Sequence, residues 1–142
     1  MKTLAIAAIL LAAAFAPAQE TYTLTVTVTN IPASKGQLLV GVFDNAGSFT
    51  SRPLPQSPKI PVRSQSPVTA RISGLKPGVY AVAVVHDLNG NGVLDRSPLG
   101  IPREPIGFSR IKRIPRGKPS FSACSFEIAD RDVSMRIPLT VE

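Results

Sequence analysis

The sequence predicts an all-β fold, a single antiparallel β-sandwich of about seven strands, and three observations favour it. Residues 21–29 alternate strictly, with Tyr22, Leu24, Val26 and Val28 opposite a row of Thr, as in a strand with one solvated side. The chain contains 14 Pro and 10 Gly, which build turns between strands. No stretch after the first 18 residues places apolar residues at helical spacing. Short strands without helices indicate two packed sheets.

The N-terminus has the three parts of a secretory signal peptide. Lys2 supplies positive charge, residues 4–15 form an apolar run, and Ala16 and Ala18 have the small-residue spacing that signal peptidase accepts. The run is shorter than the roughly 20 residues that a transmembrane helix needs. We therefore expect cleavage after Ala18, a mature chain of residues 19–142 that does not span a membrane, and a secreted or periplasmic location. A retained membrane anchor is the alternative.

The mature chain is long enough for one domain with one core, and we expect residues 19–142 to form that single domain. Residues 37–43 and 79–86 are apolar on both faces, as central strands are. Residues 44–67 are rich in Pro, and residues 96–120 are rich in Gly, Pro and basic residues, so both segments are predicted to be long loops. Shorter segments predict the remaining strands: 68–72, 121–128 and 133–141.

Single polar residues give no catalytic arrangement. His86, the only His, precedes Asp87, but neighbouring strand residues point to opposite faces, so this carboxylate cannot readily orient the imidazole. Ser109 has neither a nucleophile elbow nor a partner base. Cys124, the only Cys, alternates with apolar residues like a buried structural thiol, and its isolation excludes an internal disulfide. We expect a protein that is not an enzyme, and a small hydrolase is the weakest alternative.

Three motifs follow one another in the second half of the chain. They are LKPGVY at 75–80, HDLNGNGVLD at 86–95 and GIPREPIGFS at 100–109. In this order they resemble the bacterial secreted domain-of-unknown-function family numbered 2141. The first motif also looks like a turn of transthyretin-like and collagen-adhesin B-type modules. The resemblance implies a transthyretin-like or immunoglobulin-like sandwich and an exported location, and it supplies no activity.

Residues 87–95 have the spacing of an oxygen-rich calcium loop. Side-chain oxygens occupy the first, third, fifth and ninth positions, a Gly occupies the sixth, and the seventh residue offers its backbone carbonyl. Pro98 stands at the twelfth position, where the helical calcium loop has a Glu, so Asp95 or Glu104 would have to compensate. The candidate ligands are Asp87, Asn89, Asn91, Val93, Asp95 and Glu104. Calcium would bind weakly, at roughly 0.1 to 1 mM. The alternative is an ion-free connection made of Asx-turns.

Residues 96–118 contain seven Lys or Arg and one acid, Glu104. Such a field attracts anions, and Arg adds bidentate contacts. The candidate anion-binding residues are Arg103, Arg110, Lys112, Arg113, Arg116 and Lys118. Their partner would be an anionic component of the cell envelope or another exported protein; nucleic acid is not expected, because only Phe108 and Phe121 could stack bases. A basic loop without a partner is the alternative. The sequence thus predicts an exported binding or structural module.

Overall fold

The computed structural model describes residues 14–140. Most of the predicted signal peptide lies outside these residues, and its cleavage remains a prediction. Within the described part of the chain, no helix has the length and apolar character needed to cross a membrane.

Residues 14–140 are almost entirely β, with eight strands and one helical turn. In chain order, these elements are β1 (Tyr22–Thr29), β2 (Gln37–Phe43), β3 (Lys59–Pro61), β4 (Val68–Leu75), β5 (Gly78–Asp87), β6 (Ile106–Phe108), α1 (Phe121–Cys124), β7 (Phe126–Ile128) and β8 (Val133–Pro138). The prediction of an all-β chain is confirmed at this level, and the expected number of about seven strands is one too few.

The strands form two sheets. In the three-stranded sheet, β1 lies between β4 and β8. In the five-stranded sheet the order is β3-β2-β5-β6, and β7 pairs with the first three residues of β5. The prediction of a wholly antiparallel fold is wrong for one pair, because β1 and β8 run parallel from Leu24–Val133 to Thr29–Pro138. Parallel neighbours need a long connection, and most of the domain lies between these two strands.

One predicted strand begins instead as a helix. The segment 121–128 was expected to be extended throughout, but its first four residues form α1. The hydroxyl of Ser120 accepts a hydrogen bond from the backbone N–H of Ala123 at 3.2 Å, which caps this turn. Only the last three residues, β7, pair with a strand. A segment of four residues is too short for the spacing of its apolar members to distinguish a strand from a helical turn.

Two predicted loops contain short strands. In residues 44–67, β3 pairs with β2 at the edge of the sheet. In residues 96–120, β6 pairs with Ala83–Val85 of β5 and is buried at all three positions, so this segment is not a surface loop throughout. Each of these strands follows a Pro and is only three residues long, which is too short for its alternation to be recognised.

The two sheets share one hydrophobic core. The buried members of β1, β2 and β5 in this cluster are Leu24, Val26, Val28, Leu38, Val40, Val42, Tyr80, Val82 and Val84. Residues from β4 and β8 complete it, including Ile72 and Ile137. Burying each Val, Leu or Ile contributes about 1.5 to 3 kcal/mol relative to exposure.

The five-stranded sheet is also apolar on its outer face. A second cluster lies there, formed by Phe43, Phe49, Ala81, Ile106, Phe108 and Cys124. Phe49 and Cys124 come from the segments after β2 and β6, so connecting segments and α1, rather than a third sheet, cover this face. These segments cover the outer face only in part, and the opening that they leave is the cleft described below.

Candidate functional site

Asp87 anchors the connection that follows β5. Its side chain is fully buried, and Oδ2 accepts hydrogen bonds from Gln37 Nε2 and from the Gly92 N–H, both at 2.8 Å. Oδ1 accepts from the Asn91 N–H at 3.2 Å. Gln37 lies directly opposite Asp87 in the β2–β5 register, so the sheet itself delivers this donor. Burial alone would raise the pKa of Asp87, but hydrogen bonds from Gln37 and from backbone N–H groups outweigh it and lower the pKa.

The two Asn side chains hold the middle of this connection. Asn89 Oδ1 accepts from the Asn91 N–H at 3.2 Å, and Asn91 Oδ1 accepts from the Val93 N–H at 3.1 Å, which makes two successive Asx-turns. Both side-chain amides donate to the carboxylate of Asp95, at 2.7 and 2.8 Å. The Asn oxygens and the Asp95 oxygens therefore all accept hydrogen bonds.

Glu104 closes the connection from the next segment. It is buried, with 5% exposure, and accepts from the Leu88 N–H at 3.0 Å and the Asp95 N–H at 3.1 Å. One carboxylate thus joins both ends of the Asp87–Asp95 loop. This carboxylate lines a polar depression that is open to solvent. The other charged side chains that line the depression are Lys35, Asp95, Arg96 and Arg103.

The structure therefore assigns a donor to the side-chain oxygens of every predicted metal ligand. The sixth candidate, Val93, has a side chain that is 59% exposed. Among residues 14–140, no group of three or more His, Cys, Asp or Glu side chains is arranged to hold a metal ion. Chemically, the loop can act as a rigid, hydrogen-bonded brace.

The six predicted anion-binding residues are all exposed. Those with contacts lie against different parts of the domain. Arg103 borders the polar depression. Arg110 donates to the carbonyl oxygen of Ser125 at 3.4 Å, beyond the end of α1. Lys118 donates to the carbonyl oxygen of Phe49 at 3.4 Å. None of the six forms an ion pair within the described residues, where the one recorded pair joins Arg131 and Asp130. The remaining three are exposed members of the same segment: Lys112, Arg113 and Arg116.

A cleft of about 670 Å³ opens on the outer face of the five-stranded sheet. Its floor is formed by Leu39 of β2, Ala83 and Val85 of β5, and Ile106 and Phe108 of β6. The first three side chains are only half-buried, because the connecting segments cover this part of the sheet incompletely. The domain therefore exposes part of an apolar sheet face at the bottom of a concave site, which we call the outer cleft.

Two short segments build one wall of the outer cleft. The first is Gly92–Leu94, held in place by the hydrogen bonds to Asp87. The second is a turn closed by the bridge between Arg96 and Pro102 and by the Ser97–Ile101 hydrogen bond. Leu99 at its tip is 87% exposed and Ile101 is 47% exposed, and both line the outer cleft. The anchored loop thus places apolar side chains at the rim.

The charged side chains that line the outer cleft are both basic. Arg96 belongs to the turn and begins residues 96–118, which we call the basic segment, and Lys118 ends it. The guanidinium of Arg96 donates to the carbonyl oxygen of Gly100 at 3.0 Å. The ammonium of Lys118 lies 5.7 Å from the ring centroid of Phe49, in range of a cation–π contact. The outer cleft therefore combines an apolar floor with positive charge.

A family model described as "Uncharacterized protein conserved in bacteria (DUF2141)" matches residues 26–136. The chain belongs to this family. The match extends from within β1 into β8 and so includes the outer cleft and the Asp87–Asp95 loop of this DUF2141 domain. A search of curated proteins and a search of solved structures each return no match.

Two residues in the motifs of this DUF2141 member have identifiable structural roles. The hydroxyl of Tyr80 donates to the carbonyl oxygen of Lys76 at 2.6 Å and fixes the turn into β5. Gly107 lies where a Cβ atom would be 2.7 Å from both Ile137 Cγ2 and the carbonyl oxygen of Pro138. Absence of a side chain therefore lets β6 approach β8.

The three residues weighed as catalytic candidates also make structural contacts in this DUF2141 member. His86 is buried, and its Nε2 lies 2.7 Å from the carbonyl oxygen of Lys35. Ser109 Oγ accepts from the Val82 N–H at 2.9 Å and donates to the carbonyl oxygen of Cys124 at 2.6 Å. Burial raises the pKa of the Cys124 thiol to about 11, so it is protonated at neutral pH. None of the three lines the outer cleft.

The floor of the outer cleft was not predicted from the sequence. The available signal is that residues 37–43 and 79–86 are apolar on both faces, a pattern that predicts a central position in the sheet. A two-layer fold buries only one face of each sheet, so apolar residues on both faces also indicate either a third layer or a binding surface. Leu39 and Ala83 are two of the apolar residues on the second face of these strands.

Proposed function

We propose that this domain is an exported, non-catalytic binding module, a two-sheet sandwich that holds a small ligand in the outer cleft. The observation that carries the proposal is the outer cleft itself. Its volume, about 670 Å³, falls within the roughly 300 to 1,000 Å³ of small-molecule sites. Apolar side chains line most of it, and a few polar groups stand at its edge, which is the usual composition of such sites.

The Asp87–Asp95 loop serves in this proposal as an ion-free brace for the cleft wall. Supporting this, Asp87 and Glu104 each accept two or more N–H hydrogen bonds. The Asn89 and Asn91 side chains accept from backbone N–H groups through Oδ1 and donate to Asp95 through Nδ2. Lys35, Arg96 and Arg103 around the adjacent depression would repel a divalent cation. Calcium binding at this loop remains the alternative.

A non-catalytic role is supported by where the reactive side chains lie. His86, Ser109 and Cys124 are buried and contact backbone atoms within the fold. The charged side chains that line the outer cleft are Arg96 and Lys118, and no His, Cys, Asp or Glu is among the described residues that line it.

Titration with Nile red, a neutral dye that fluoresces in apolar surroundings, tests the proposal. We expect saturable fluorescence enhancement with one site per chain. Ala83→Leu, which extends a side chain from the floor into the outer cleft, should weaken dye binding at least tenfold. Leu99→Asp, at the exposed tip of the turn, should weaken it without a risk to folding, because this side chain is 87% exposed.

Thr69→Leu is the matched control for Ala83→Leu. Thr69 is an exposed position on β4, in the other sheet, and the change likewise adds apolar volume to a strand. Dye binding should be unchanged in this variant, with thermal melts showing that all three variants are folded. Absence of saturable dye binding, or equal binding by Ala83→Leu and Thr69→Leu, would contradict the proposed site.

A further inference from the structure

The charged residues of the outer cleft are unbalanced in sign. Arg96 and Lys118 line it, and no Asp or Glu of residues 14–140 is part of the lining. The protein as a whole carries 16 Lys or Arg and 9 Asp or Glu, so acids are available elsewhere in the chain. Two acids, Asp95 and Glu104, line the polar depression, where they accept hydrogen bonds. A ligand in the outer cleft therefore encounters positive charge that no carboxylate of the lining offsets.

The two cations belong to two different segments that line the outer cleft. Arg96 precedes the exposed Leu99 and Ile101 in the turn that walls the outer cleft. Lys118 lies beside Phe49, whose ring packs against Phe108 of the floor with a centroid distance of 6.1 Å. An anionic group at the rim would thus contact a cation, while the floor offers only apolar contacts to the rest of the ligand.

From this combination we infer that the ligand is a single-chain amphiphile, with an acyl or alkyl chain on the floor of the outer cleft and an anionic headgroup held by Lys118 and Arg96. The inference rests on the proposed function and names the chemical class of its ligand. The alkyl chain of the ligand contacts Leu39, Ala83 and Val85 on the floor. The exposed Lys and Arg side chains of the basic segment, which ends at Lys118, raise the local concentration of anions.

Chain length and headgroup make separable contributions to affinity. Each methylene buried on the floor should tighten the Kd by about fourfold until the outer cleft is filled. The headgroup should add about tenfold, as a charge-assisted contact at a partly exposed site does. Screening weakens only the second contribution, so raising NaCl from 50 to 500 mM should reduce the binding of an anion and not of its neutral analogue.

Displacement of bound Nile red tests the inference, with decanoate, dodecanoate, dodecyl phosphate and neutral dodecanol as competitors at concentrations below micelle formation. We expect dodecanoate or dodecyl phosphate to compete about tenfold more strongly than dodecanol, and dodecanoate more strongly than decanoate. The order of the two anions then identifies the headgroup as carboxylate or phosphate. Lys118→Ala should remove most of the preference for an anion, and Lys118→Arg should keep it.

Lys76→Ala is the matched control for Lys118→Ala, because it removes the same charge from an exposed position between β4 and β5. Its preference for dodecanoate should equal that of the unaltered protein. Equal competition by dodecanol and dodecanoate would overturn the inference while leaving the outer cleft as a site for neutral ligands. Sedimentation with phosphatidylglycerol vesicles, without affinity for any monomeric competitor, would also overturn it and indicate docking on a membrane surface. Failure of Nile red itself to bind would instead reject the proposed function.

Discussion

The two faces of the five-stranded sheet differ, although alternate residues of the same strands form them. On the inner face, Leu38 and Val82 are fully buried in the core that both sheets share. On the outer face, Leu39 and Ala83 are only half-buried, because connecting segments cover this face incompletely. One set of strands thus uses one face for stability and leaves the other for binding. Each prediction below tests this division.

The largest difference is expected between two neighbouring leucines. Leu38→Ala should lower the free energy of unfolding by about 2 to 5 kcal/mol, because it leaves a cavity in a closed core. Leu39→Ala should lower it by only about 1 kcal/mol, because its side chain already borders the outer cleft. Urea denaturation measures both values. Similar losses would show that the outer face is packed as closely as the inner one.

The next prediction concerns Asp87, the last residue of β5. Asp87 continues the outer-face series of β5, and Asp87→Asn should cost about 1.5 to 3 kcal/mol at pH 7, since it removes a charged acceptor of three hydrogen bonds. Because the folded pKa of Asp87 is lowered, its stabilisation is present above about pH 4 and is lost as pH falls through the folded pKa.

Denaturation measured from pH 7 down to pH 2 checks this dependence. Below about pH 4, the stability of the unaltered protein should fall more steeply than that of Asp87→Asn. Asp44→Asn, at an exposed turn, is the control and should keep the steep fall. Parallel curves for the unaltered protein and Asp87→Asn would show that the Asp87–Asp95 loop does not depend on this carboxylate.

Adding side-chain volume should destabilise the fold more on the inner face than on the outer face. Gly107→Ala adds one carbon on the inner side of β6, where it would lie 2.7 Å from Ile137 Cγ2 and the Pro138 carbonyl, and should cost about 1 to 3 kcal/mol. Ala83→Leu adds three carbons in the outer cleft and should cost less than about 1 kcal/mol. Thermal melts rank the two variants, and a greater loss for Ala83→Leu would contradict an open outer face.

The smallest effect is expected from calcium. If the Asp87–Asp95 loop is an ion-free brace, 5 mM calcium should shift the melting temperature by less than about 1 °C relative to a chelator. A site with a Kd of about 0.5 mM would stabilise the fold by about 1.4 kcal/mol and raise the melting temperature by about 4 °C. A rise of that size, absent with magnesium, would favour the calcium alternative.

Much of the fold was predictable where the signal is local and long. The strict alternation of residues 21–29 predicted β1 within one residue, and the apolar run at 79–86 predicted β5 within one residue at each end. The three-residue strand β6 and the single turn α1 are too short to carry a period. The parallel pairing of β1 with β8 joins residues about a hundred positions apart, which no local pattern specifies.

The candidate site was predictable only in part. The spacing of Asp87, Asn89, Asn91 and Asp95 identified a structured loop, and Glu104 was recognised as the acid that could reach it. Which hydrogen bonds these oxygens accept depends on the register that brings Gln37 opposite Asp87 and on the backbone turns between them. The outer cleft is a product of incomplete covering by distant segments, so no single motif encodes it.

An NMR titration of the ¹⁵N-labelled protein with dodecanoate tests the central claim most directly, because it reports each residue separately. The account predicts saturable amide shifts at Leu39, Ala83 and Val85 on the floor and at Leu99 on the rim of the outer cleft. Shifts confined to the three-stranded sheet, such as Thr69 on β4, or no saturable shift at the floor residues, would contradict it.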